Sequence, residues 1–144
     1  EIPIFTPEAY LYDDFLNQPG EGFGTADDTE IEIVDNSHPI TEGFDLGVIT
    51  AFEEEMWMGH MDDPPAGVKV LATAPGTPNR ARLWLVEAGE TVNGQTVPGL
   101  RIGAFLQNTG FAVLTSQGRQ LMAQTFAYAL NEEPPVSVND YMIY

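Results

Sequence analysis

The stretch TEIEIVDNSHPITEGFDLGVITAFEEEMW, residues 29–57, carries the reading of the fold. Ile31, Ile33 and the methyl of Thr29 alternate with Glu30 and Glu32, the two-residue period of a strand with one wet face, until Val34 and Asp35 break it. Asn36, Ser37, His38 and Pro39 make a polar turn. Residues 40–44 read as one short helical turn ended by Gly43, and residues 46–52 as a second apolar strand.

Working outward from that pair, the N-terminal side offers an apolar run, Ile2 to Phe5, expected as a buried strand. Thr6-Pro7-Glu8 then reads as a helix start: Thr6 as N-cap, Pro7 at the first helical position, Glu8 on the positive end of the dipole. That helix is expected over residues 7–16, with Leu11 and Phe15 on its inner face and Tyr12 and Leu16 beside them. Residues 17–28 read as a glycine-rich acidic loop. Gly20-Glu21-Gly22-Phe23-Gly24 within it echoes a dinucleotide loop, but it follows a helix, is one residue short and carries acids where phosphate would sit.

On the C-terminal side, residues 56–67 read as irregular, and VKVLATA (68–74) as a strand buried on both faces. RLWLVE (82–87) and LRIGAFL (100–106) read as antiparallel neighbours, separated by a hairpin whose tip is Asn93-Gly94. Thr115 is expected to cap an amphipathic helix over residues 116–131, with Leu121, Met122, Thr125, Phe126, Ala129 and Leu130 at helical spacing. Glu132-Glu133-Pro134-Pro135 stops it. The order strand, helix, strands, helix predicts an α/β or α+β layer structure with a mixed sheet, either open on one face or an incomplete, truncated version forming the second half of a larger doubly wound domain. Residues 1–131 form the domain and 132–144 a proline spacer with an apolar docking tail.

Composition bounds the partners. The chain has 144 residues, 43% of them apolar, enough for a core; 22 Asp and Glu oppose five Lys and Arg, for a net charge of −17, and Lys69 is the single lysine. Such a surface repels phosphate backbones and anionic lipid, so nucleic acid and membrane are not expected as partners. Short carboxylates in place of lysine stems give a surface that holds water and cations, as in proteins from salty media. The absence of cysteine removes disulfides, thiolate metal sites and a cysteine nucleophile from this chain. Opening on Glu1 and an apolar run, it reads as a processed or excised piece of a longer protein.

The charge also makes a prediction: self-repulsion opposes compaction and is screened over about 10 Å at 0.1 M salt. The melting midpoint should rise between 0.05 M and 2 M potassium chloride; an unchanged midpoint would show that the acids are spaced too widely to matter.

The succession HPITEGF (38–44), FEEEMW (52–57), VLATA (70–74), a strand pair and a closing helix ending FAYAL (126–130) resembles ThuA-like proteins of the flavodoxin-like, class I glutamine amidotransferase-like superfamily. The resemblance covers residues 1–131 and implies a mainly parallel flavodoxin-like sheet with an antiparallel strand pair, this chain matching the C-terminal portion. The superfamily's cysteine would sit where this chain reads Phe5-Thr6-Pro7-Glu8, so amidotransferase chemistry is not expected.

Candidate chemistry falls in three places. Glu8 and His38 are possible acid–base groups, set against plain dipole complementation for Glu8 and a turn role for His38, whose neighbour Ser37 points elsewhere. Glu53, Glu54, Glu55, His60, Asp62 and Asp63 form an oxygen-rich cluster whose chemistry would suit Ca2+. Trp57 and Trp84 could make a sugar platform or belong to the core. The favoured expectation is a secreted, non-catalytic structural or interaction module that associates with further copies or a neighbouring domain through its tail. The alternatives are a carbohydrate hydrolase and a calcium-dependent binding module.

Overall fold

The run TPNRARLWLV, ten residues long, is the strand on which the sheet is built. In the computed structural model, which describes residues 2–16, 23–107 and 110–131, the strands are β1 (Ile4–Thr6), β2 (Phe23–Asp28), β3 (Glu30–Ile33), β4 (Gly47–Thr50), β5 (Met56–Asp62), β6 (Lys69–Ala74), β7 (Thr77–Val86), β8 (Thr91–Val92), β9 (Gln95–Thr96) and β10 (Arg101–Ala104). A 3-10 turn (Ala9–Leu11) leads into helix α1 (Tyr12–Leu16), and a second 3-10 turn (Gly110–Val113) precedes helix α2 (Ser116–Leu130). Among the described residues no helix is long and apolar enough to cross a membrane.

The sheet runs β1-β10-β7-β6-β3-β4. β7 pairs with β6 along one flank and divides its other flank: Arg80 and Ala81 face Asp62 and Met61 of β5, while Leu83 to Val86 face Ala104 to Arg101 of β10. β5 in turn carries β2. Every pairing is antiparallel except β1 with β10. The expected mainly parallel sheet is therefore corrected. Parallel neighbours need a crossover, usually a helix, between consecutive strands. Here tight turns join β2 to β3 and β6 to β7, and no described helix lies between β2 and β10.

Both faces carry apolar clusters, the second only over part of the sheet. Ile31, Ile33, Ile49, Leu71, Leu83, Leu85 and Ile102 pack with Phe52, Phe105, Leu121 and Met122 beneath α2; Trp84, Val86, Met61 and Ala81 pack on the other face against Ala9, Tyr12, Leu16 and the β8–β9 hairpin residues Val92 and Val97. The switch of face between Ala81 and Leu83 coincides with register shifts against β6.

Local signals explain much of this. Thr115 caps α2 by accepting the Gly118 N–H at 3.1 Å, Asn131 closes it in the left-handed conformation, and Asn93 and Gly94 both take positive φ at the hairpin tip. Thr6 Oγ1 accepts the Glu8 N–H at 3.1 Å, but the turn begins at Ala9 and buries Ala9, Tyr12 and Leu16, leaving Leu11 exposed. Three further expectations are corrected. The stretch read as irregular contains β5, the end of the acidic loop is β2, and Leu130 points to solvent. Residues 17–22 and the tail 132–144 lie outside the described residues.

α2 crosses the sheet. Thr115, at its start, meets Thr50 and Ala51 at the end of β4, whereas Phe126, near its end, packs on Phe5 of β1. Its 15 residues span about 22 Å. The five inter-strand steps from β4 to β1 span about 24 Å.

Candidate functional site

The sequence candidates do not converge. His38 is buried under α2, its ring edge-on to Tyr128 with centroids 4.7 Å apart and its Nε2 3.8 Å from Glu87 Oε1. Glu87 follows β7 and also accepts the Tyr128 hydroxyl at 2.6 Å. Glu8 precedes the 3-10 turn that covers the opposite face, beyond the other end of β1. These two groups thus lie on different faces of the sheet. Asp62 is paired with Arg80, seven positions before Glu87 on β7, which places it about 23 Å along that strand from the His38 cluster.

The proposed ligand cluster is likewise divided. Glu53, Glu54 and Glu55 are exposed ahead of β5, while His60 and Asp62 sit at its far end and Asp63 just beyond, the six steps of that strand spanning about 20 Å. Among the described residues no three His, Cys, Asp or Glu side chains gather as metal ligands. The candidate ligands of residues 53–63 thus fall at the two ends of one strand. Nor do the tryptophans form a platform: Trp84 is fully buried against Tyr12, and Trp57 is half exposed on β5.

What the strands do assemble is a set of polar groups not singled out from the sequence. Arg82, 2% exposed, gives NH1 to Asp28 Oδ2 at 3.0 Å and to the Glu30 carbonyl at 2.5 Å, with the Met58 sulfur at 3.2 Å. Asp62 bridges Arg80 Nε at 3.0 Å and His60 Nε2 at 3.5 Å. The signal was present: Arg80 and Arg82 are two of only five basic residues and lie two apart on one strand, a spacing that points both to the same face.

Only His38 has both ring nitrogens engaged; His60 turns Nε2 to Asp62 and keeps a buried Nδ1 with no partner among the described residues. His38 Nδ1 accepts the Ile40 N–H at 3.2 Å, which leaves the proton on Nε2, facing Glu87. Burial lowers the pKa of His38, with Lys69 adding to it, and burial likewise lowers that of His60, helped by Arg80 and Arg82. Burial, then the bond to Glu87, pushes the Tyr128 hydroxyl up to about 12. A groove of about 540 Å³ opens beside this cluster between Pro3, Glu87, Leu100, Tyr128, Leu130 and Asn131.

The two lowered histidines make a pH prediction. The unfolded chain binds protons below about pH 6.5 that the folded chain refuses, so their contribution to stability is whole above that pH. It is lost progressively as pH falls toward the lowered folded values. His38→Asn keeps an acceptor for the Ile40 N–H and removes the ring, so its melting midpoint should drop less than the parent's between pH 7 and pH 5. Parallel curves for the two proteins would refute the assignment.

One further exposed feature is the outer edge of β4. The Ala51 N–H donates to the Thr29 carbonyl at 2.8 Å, which sets Ala51, Ile49 and Gly47 as the residues whose backbone faces β3. Val48 and Thr50 therefore turn their backbone groups outward. The Thr50 carbonyl accepts the Thr115 hydroxyl at 2.6 Å; among the described residues Val48 N–H and C=O and the Thr50 N–H have no partner. Alongside them lies an apolar trio, Val34 (41% exposed), Leu46 (61%) and Val48 (51%), on the sheet face that the N-terminal helical segment leaves open.

No protein-family model, no curated protein and no solved structure matches this chain.

Proposed function

We infer that this chain is a non-catalytic interaction module, secreted and acidic, that takes an extended polypeptide segment along β4. The observation that carries this reading is the coincidence of outward backbone groups at Val48 and Thr50 with the exposed trio Val34, Leu46 and Val48. An edge strand with exposed apolar side chains is a template for strand addition, and proteins that do not use such an edge blunt it with charge, proline or a bulge. β4 carries none of these between Gly47 and Thr50. The 22 acids elsewhere on the chain keep unrelated copies apart while this edge stays uncharged.

The test is amide exchange followed by NMR with an extended peptide of alternating valine and threonine as the probe. Protection and shift changes confined to Val48, Thr50 and their neighbours on β3 support the reading. Changes at the Glu87 groove, or none at β4, overturn it.

A further inference from the structure

We propose that the groove beside Glu87 is a binding site for an organic cation, an ammonium or guanidinium group carried on an apolar body. The groove lies where β7 ends and where β1 and β10 begin, on the opposite side of the sheet from β4, and is independent of the reading of that edge. Glu87 is the one charged side chain that lines it, and it is 40% exposed. Both contacts of this carboxylate, the Tyr128 hydroxyl at 2.6 Å and His38 Nε2 at 3.8 Å, are made through Oε1. Oε2 has no partner among the described residues, and no described Lys or Arg forms an ion pair with Glu87. His38 does not supply the missing charge: burial lowers its pKa, and its Nδ1 is taken by the Ile40 N–H.

The backbone adds charge of the same sign. The last turn of α2 lines the groove, and the Asn131 N–H closes the Ala127 and Tyr128 carbonyls, which leaves those of Ala129 and Leu130 without a partner among the described residues. Arg101 bonds the Gly99 and Leu100 carbonyls, but it sits opposite Val86 in register and so points to the other face of the sheet from Glu87. Pro3, Leu100 and Leu130 give apolar walls, and a volume of about 540 Å³ suits a small organic molecule. The other ligand classes fit less well. An anion would meet both the carboxylate and the negative end of the helix. A bare hard cation takes several oxygen ligands at once, and the described residues gather no three carboxylate or imidazole groups. A neutral ligand would leave the Glu87 charge uncompensated.

The experiment is an amide NMR titration of the full chain at pH 7 with three probes of one shape: hexylammonium, hexanol and hexanoate. Salt at 0.15 M limits unspecific attraction to about 8 Å. Hexylammonium should shift the Ala88, Leu100 and Asn131 amides and bind about tenfold tighter than hexanol, the gain expected of one charge-assisted hydrogen bond. Hexanoate should not bind. Equal affinity for hexylammonium and hexanol overturns the proposal, because the groove would then be merely apolar. So do shifts that avoid the groove and spread over exposed acids such as Glu53, Glu54 and Glu55, the pattern expected of net charge alone. An absence of shifts overturns it as well.

Glu87→Gln removes the charge and keeps an acceptor for the Tyr128 hydroxyl. This variant should bind hexanol as the parent does and lose the preference for hexylammonium. A variant that keeps the preference assigns the cation to some other group and overturns the proposal. The comparison of the three probes on the parent chain decides the matter by itself should the variant fail to fold.

Discussion

The Asp28→Ala variant should melt about 10 °C below the parent chain, from a loss of about 3 kcal/mol. Arg82 is the most buried cation described, and its burial disfavours the charge and lowers its pKa. Asp28 is the only carboxylate that meets it at hydrogen-bond distance among the described residues. Removing one partner of a buried pair leaves the other charged and poorly solvated, which costs more than the pair itself contributes. The estimate is held to the low end because the Asp28 side chain is about one-third exposed.

Asp28 has a second task, since its Oδ1 accepts the Thr29 and Glu30 N–H groups at 2.8 and 3.2 Å where β2 turns into β3. Asp28→Asn keeps that acceptor and removes the charge, so it separates the two effects. Arg82→Met removes the buried charge and fills similar volume beside Met58. It should cost less than half as much as Asp28→Ala. Equal losses for Arg82→Met and Asp28→Ala would show that the guanidinium is valued for its hydrogen bonds rather than merely compensated.

Gly103→Ala should lose a comparable amount, about 3 kcal/mol, through overpacking. The Trp84 indole lies across Gly103 so closely that a methyl there would overlap its Nε1, Cε2 and Cζ2 atoms. Trp84 is fully buried and edge-on to Tyr12 at 4.9 Å between centroids, so close packing resists its displacement. Trp84→Ala alone removes that contact and leaves a cavity, costing about 3–5 kcal/mol. The two changes act on the same volume. The double variant should therefore be more stable than the sum of the single losses predicts, by about 1–2 kcal/mol, in chemical denaturation. Strict additivity would mean that the indole does not occupy the space above Gly103.

Where the chain states its local geometry, the structure was legible. Ile31 and Ile33 are buried and Glu30 and Glu32 half wet, as their alternation requires; Asn93-Gly94 makes its hairpin; Thr115 caps its helix. β5 was missed because Met56–Asp62 has no β-branched residue and carries Gly59 at its centre. β2, with a glycine, an alanine and two aspartates, gives no better signal, and it is defined by pairing with β5 rather than by its own preference. Strand direction was also beyond local reading, since it depends on which distant strands meet.

The candidate site was legible in parts. Residues 46–52 were read as an apolar strand, but whether Val48 is covered depends on β4 having no outer neighbour in the described sheet. The acids at 53–55 and 60–63 are close in sequence and far apart in space because a strand, not a turn, joins them. Arg82, between Ala81 and Leu83, is the charged residue whose placement could have been asked of the sequence.

The single parallel pairing has a consequence for how the chain folds. Among the described strands β1 pairs with β10 alone, and residues 7–100 lie between them, so this contact carries a large loop-closure cost. β6 and β7 meet across one tight turn and can pair early. During synthesis the first strand must then wait until the last is made, while the hairpin that will receive β10 is already in place. Hydrogen exchange begun during refolding should accordingly protect Leu83 and Leu85 of β7 before Phe5 and Thr6 of β1.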